Sequence, residues 1–173
     1  MIVTRDLPSD ALPHKDRELG ASTDCYTTDV PIQVSHAAYV EAFYTSWAFK
    51  LERFVLKWTV AKPSTDDEAR RLSRGDLDAF AAWTVDARAR DQVLLVDFMR
   101  RTKSWLMVVG LDATHTRLYF GTVIMPARNR TGPPSIGLAF SALMPFHKAY
   151  SRVLLGAAAA KIARSARQPL SSR

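Results

Sequence analysis

The sequence predicts a single α+β domain in which an antiparallel meander of strands packs against a long C-terminal helix. Apolar and polar residues alternate with period two from Tyr26 to Val34 and again from Trp83 to Ala89, the pattern of strands that are dry on one side. Three more strand-like runs follow, joined by stretches too short for parallel crossovers, which makes the neighbours antiparallel. From Phe140 to Ala158 the apolar residues recur at helical spacing.

The 173 residues, 47% of them apolar, suffice for one buried core and exclude a disordered tail or a collagen-like fibre. The single cysteine, Cys25, forms no intramolecular bridge and suits a reducing compartment, so the cytoplasm is the expected location. No run of eighteen apolar residues and no basic-then-apolar leader is present, so neither a membrane span nor a secretion signal is expected.

Residues 1–23 hold Pro8, Pro13, Gly20 and no apolar periodicity, and read as a poorly ordered or loosely docked lead-in. The domain is expected to span 24–166, with 167–173 as a tail. Its first strand follows Asp24, and Pro31, lacking an amide donor, suits an edge position. Ser35 then caps a helix whose apolar positions Val40, Phe43, Tyr44, Trp47, Leu51, Phe54, Val55 and Trp58 step by three and four for five turns, until Pro63 interrupts. Thr65-Asp66-Asp67-Glu68 reads as a capping box opening a short helix that ends near Gly75. The strand at Trp83 and the runs Gln92–Met99, Ser104–Val109 and Arg117–Met125 come next. After a loop rich in proline and glycine, the last helix starts near Ser141, with Pro145 expected in its first turn.

The charge is uneven. Residues 71–173 hold 16 of the 24 Lys and Arg but only 6 of the 17 Asp and Glu, which could draw polyanions to Arg100, Arg101, Lys103, Arg128 and Arg130. The cations follow no nucleic-acid-binding motif, so nucleic acid is not an expected partner.

This order of elements resembles the helix-grip fold of the START-like and polyketide-cyclase superfamily, in which a sheet wraps the last helix around a cavity. The blocks Ser104-Trp105-Leu106-Met107, Arg117-Leu118-Tyr119-Phe120-Gly121 and Phe146-His147-Lys148-Ala149-Tyr150, the last followed by Leu154-Leu155, are similar to an uncharacterised bacterial branch of that superfamily. The resemblance implies a cavity but no particular activity. It departs in strand number, four after the helical pair where six are usual. A nuclear-transport-factor-like cone also sets helices before a curved sheet, but usually finishes in strands.

Among polar residues His147 stands out, because it shares a helix face with Leu143, Met144, Tyr150 and Leu154 and should point towards the sheet, where an imidazole can move protons near neutral pH. The competing reading is a core or rim histidine with satisfied ring nitrogens. Asp97 interrupts the apolar run from Val93 to Met99 and reads either as an assisting catalytic carboxylate, with Tyr150, or as a rim residue paired with Arg100 or Arg117. Tyr44, Trp47, Trp83, Trp105, Phe120 and Met144 can line a pocket for a flat apolar ligand or simply fill a core. No metal-ligand spacing, phosphate-binding loop, nucleotide fingerprint or nucleophile elbow is present, so no metal or cofactor is expected. Asp24 beside Cys25 disfavours a thiolate.

The later strands are apolar on both faces: Trp105, Met107 and Val109 alternate with Leu106 and Val108, and Leu118, Phe120 and Ile124 with Tyr119, Val123 and Met125. Either helices cover both faces or a second copy covers the outer one, and the expectation is a homodimer through the sheet. The leading functional expectation is a domain binding a small, largely apolar molecule between sheet and last helix. The alternatives are a cofactor-independent cyclase, isomerase or hydrolase using His147, and a protein-interaction or polyanion-binding module.

Overall fold

The computed structural model describes residues 1–51, 64–126 and 138–167, the side chains of 138–145 excepted. Its strands are β1 (Val3–Thr4), β2 (Ser22–Val30), β3 (Ala79–Phe80), β4 (Trp83–Arg88), β5 (Gln92–Asp97), β6 (Thr102–Gly110) and β7 (Thr116–Ile124). Its helices are α1 (His14–Glu18), α2 (His36–Tyr44), α3 (described over 47–51), α4 (Asp66–Arg74) and α5 (Leu138–Arg167). The strands form one antiparallel sheet in the order β1-β2-β7-β6-β5-β4-β3, so β3 to β7 are a meander and β2 closes back beside β7. The fold is α+β and helix-grip-like, with α5 across β2 and β7 on one face of the sheet. Five described strands, one of them only two residues long, follow the helices, where four were expected.

Local signals account for most boundaries. The Ser35 hydroxyl accepts from the Ala38 amide and opens α2. The Thr65 and Glu68 side chains satisfy each other's backbone amides as a capping box, and Gly75 ends α4 in the left-handed region at φ 86°. The five-turn helix expected after Ser35 instead breaks at Thr45 and Ser46, where the Thr45 hydroxyl donates to the Glu41 carbonyl and the chain restarts at Trp47. The part of that expectation beyond Leu51 lies outside the described residues, as do Arg128 and Arg130. Helix α5 begins at Leu138, so Pro145 sits inside the helix and not in its first turn.

The two-sided strands have two cores. On the helical face Tyr26, Val93, Leu95, Leu106, Leu118 and Phe120 pack with residues of α2, α4 and α5. On the other face Cys25, Leu94, Trp105, Met107, Tyr119 and Val123 pack with Ala11 and Ala21, and Leu7 and Leu12 close over them. The N-terminal segment is therefore not a loose lead-in. Strand β1 pairs with β2 at Thr27 and Tyr26, and Gln92 accepts from both the Trp105 indole and the Leu12 amide while donating to the Asp10 carbonyl. Buried Lys103 completes the attachment, with Nζ 2.6 Å from Asp16 and 2.8 Å from Asp86. A register shift between Val85 and Ala87 brackets Asp86, and it turns Val85 to the helical face and Ala87 to the outer one. The outer face is thus covered by this chain's own first residues, which removes the observation that called for a homodimer.

Candidate functional site

The site lies between α5 and the sheet. Positions 147, 150, 151 and 154 of α5 recur at helical spacing, so one stripe of the helix faces β6 and β7. Beneath it is a cavity of about 200 Å³ lined by His147, Tyr150, Ser151 and Leu154 from the helix, Thr102, Lys103 and Ser104 from β6, Phe120 and Thr122 from β7, Trp83 from β4, and Phe43 and Phe49. Its walls are mainly apolar, with Phe43 and Phe120 ring centroids 4.9 Å apart.

Polar groups converge on these walls. The hydroxyls of Thr122 and Ser151, 4% and 1% exposed, and the Trp83 indole nitrogen are buried and have no hydrogen-bond partner among the described residues. Buried polar atoms are nearly always partnered, because leaving one unpaired costs about 1–3 kcal/mol. Three such groups lie on residues that line this one cavity.

At the end of the cavity His147 Nε2 stands 3.6 Å from Asp24 Oδ2. That separation is electrostatic contact, not a hydrogen bond. The register pairs Asp24 with Thr122, and the Thr122 amide donates to Asp24 Oδ1 at 2.8 Å, which fixes the carboxylate. The Tyr26 hydroxyl donates to the same carboxylate at 3.4 Å, and burial together with Asp24 pushes its pKa up to about 12, so it stays a neutral donor. A carboxylate on one ring nitrogen orients an imidazole and leaves the other nitrogen to accept or deliver a proton.

The structure brings together His147, Tyr150, Trp83 and Phe120 of the expected set. Tyr44 is fully buried behind them, its hydroxyl 3.4 Å from Ser104 Oγ. Trp105 does not line the cavity; it packs on the outer face under the N-terminal segment. Trp47 is 61% exposed, because the helix break at Thr45 rotates it off the buried stripe. The Met144 side chain lies outside the described residues. Asp97, the last residue of β5, does not line the cavity: its Oδ1 accepts from the Arg101 and Thr102 amides and stabilises the β5–β6 turn, in which Arg100 has φ 55°. Neither arginine expected to pair with it does so, since Arg100 contacts Asp86 and Arg117 contacts Asp29.

Sequence reasoning missed Asp24, Thr122 and Ser151. Asp24 read as a domain boundary and the two hydroxyl residues as unremarkable positions, and only the β2–β7 register and the turn of α5 set them around His147. Cys25, buried on the opposite face, has its thiol pushed up to about 12 by burial first and Asp24 second. Among the described residues no group of three or more His, Cys, Asp or Glu is placed to hold a metal ion, and no helix is long and apolar enough to cross a membrane. No family model, curated protein or solved structure matches the chain.

Proposed function

We propose that the domain binds a small, largely apolar molecule carrying a hydrogen-bonding group, in the manner of START-like domains, in the cavity beneath α5. The observation that carries this reading is the pair of buried, unpartnered hydroxyls of Thr122 and Ser151 on an otherwise aromatic and aliphatic wall. A volume of about 200 Å³ lies above that of a cavity which takes benzene and below that of drug-sized pockets, which suits a one- or two-ring ligand. The test is calorimetric titration with indole and 2-naphthol, whose polar atoms can reach those hydroxyls. Binding that weakens in Ser151→Leu, which fills the cavity, supports the reading. Absence of binding by both probes, with no small molecule retained in native mass spectrometry, overturns it.

A second reading is favoured by His147 and Asp24: a cofactor-independent cyclase, isomerase or hydrolase in which the imidazole is general base or acid. His147→Ala separates the two, since intact probe binding with lost turnover favours catalysis. The polyanion surface expected around Arg100, Arg101 and Lys103 has little support, because Lys103 is buried between two carboxylates and Arg100 contacts one of them. A homodimer through the outer sheet face likewise lacks support while residues of the N-terminal segment cover that face.

A further inference from the structure

A second concavity, of about 510 Å³, opens at the edge of β2 beyond the end of β1 and is lined by Arg5, Arg17, Lys148 and Arg152. These cations come from the turn after β1, from α1 and from successive turns of α5, and only the docking of the N-terminal segment gathers them. Some cations elsewhere are ion-paired, Lys50 with Asp66, Arg70 with Glu41, Arg88 with Asp78 and Arg117 with Asp29, while others, such as Lys15, Arg74 and Arg101, stand singly among the described residues. Among the described residues none of the four cleft cations has an ion-pair partner. Lys148 and Arg152 are also spaced i,i+4, a like-charge arrangement that works against the helix.

Two of the guanidinium groups are held in place. Arg152 donates from Nη2 to the Thr4 hydroxyl at 3.1 Å and lies over the Tyr26 ring, 4.9 Å from its centroid. Arg5 donates from Nε to the Thr27 hydroxyl at 3.2 Å. Each is anchored by part of its fork and keeps further N–H donors for an oxyanion. The lining acids are Asp6 and Asp24, and the Asp24 carboxylate already serves Thr122 and Tyr26. Four cations against two carboxylates leave an excess of positive charge that complements a dianion better than a monoanion.

We propose that this cleft binds the phosphate group of a small phosphate monoester. The inference stands apart from the cavity reading, since its four cations do not line that cavity and its ligand chemistry differs, although Asp24 borders both places. Its test is calorimetric titration of the full chain, at constant ionic strength, with inorganic phosphate and phenyl phosphate, and with benzoate as the monoanionic control. Both phosphates are expected to bind and benzoate to bind more weakly. Arg17→Gln and Lys148→Gln, both at exposed positions, are each expected to weaken phosphate binding about tenfold, the loss of one charge-assisted contact, without lowering the melting temperature. No phosphate binding, or an affinity in both variants unchanged from that of the parent chain, overturns the proposal. Binding of a DNA oligonucleotide or of phosphatidic acid vesicles without binding of phenyl phosphate assigns the charge to a polyanion surface and overturns it as well.

Discussion

His147 on α5 and Asp24 on β2 face each other at 3.6 Å, although 123 positions separate them in sequence, and the Asp24 carboxylate is itself fixed by the Thr122 amide. The carboxylate therefore has a structural duty beside any chemical one. Asp24→Ala leaves the Thr122 amide without its acceptor and is expected to cost about 1–3 kcal/mol in a urea titration. Asp24→Asn keeps an acceptor oxygen and should cost less. Equal losses in the two variants would show that the amide contact does not hold the strand pair.

Thr122 and Ser151 give the opposite sign. Each buries a hydroxyl with no partner among the described residues, so Thr122→Val and Ser151→Ala remove a desolvated group without breaking a bond. Each is expected to raise stability by about 1 kcal/mol while weakening binding of a hydroxylated probe such as 2-naphthol. A fall in melting temperature would mean that the hydroxyls are satisfied in solution and do not await a ligand.

The parts of this arrangement that were legible from sequence are those written in local chemistry. Ser35, the Thr65–Glu68 box and Gly75 mark helix ends through neighbouring backbone groups, and the spacing around His147 places it on the buried stripe. The N-terminal segment was not legible, because Leu7, Ala11, Leu12 and Ala21 dock through irregular backbone and leave no period to detect. The break at Thr45 was masked by apolar spacing that continues across it. Trp105 was assigned to the wrong face because alternation says that a strand has two sides but not which of them meets the helix.

Lys103 makes stability depend on alkaline pH. Burial lowers the pKa of its ammonium, but the hydrogen bonds it donates to Asp16 and Asp86 outweigh that effect and hold it above the ordinary 10.5. A raised folded-state pKa contributes stability that is complete below the unfolded value and lost as pH rises through the folded one. Urea midpoints should thus fall between about pH 10 and the folded pKa, with Lys103→Met lacking that component. Asp16→Ala leaves the buried ammonium paired with Asp86 alone and is expected to cost about 1.5–3 kcal/mol at neutral pH, the loss of one charged hydrogen bond.

Gly121 makes room for Trp105 on the outer face of the sheet. A Cβ there would stand 2.7 Å from the Asp24 carbonyl oxygen and 2.8 Å from Cε3 of Trp105, so the indole lies flush against the strand only because the position has no side chain. Gly121→Ala is expected to destabilise by about 1–3 kcal/mol, read as a lower urea midpoint. It should also move Trp105, which crystallography of the variant would show directly. An unchanged midpoint would mean that the strand relaxes without cost.

Removing residues 2–21 tests what covers the outer face. Trp105, Met107 and Tyr119 lie beneath this segment, and its loss also takes away Asp16 from Lys103 and the Leu12 amide from Gln92. A sheet with a large apolar side open to water recruits another surface. The shortened chain is expected to self-associate in sedimentation velocity at micromolar concentration, while the full chain sediments as a monomer. If the full chain is instead a dimer and the shortened chain a monomer, the segment makes the contact between copies and is not a cover that prevents one.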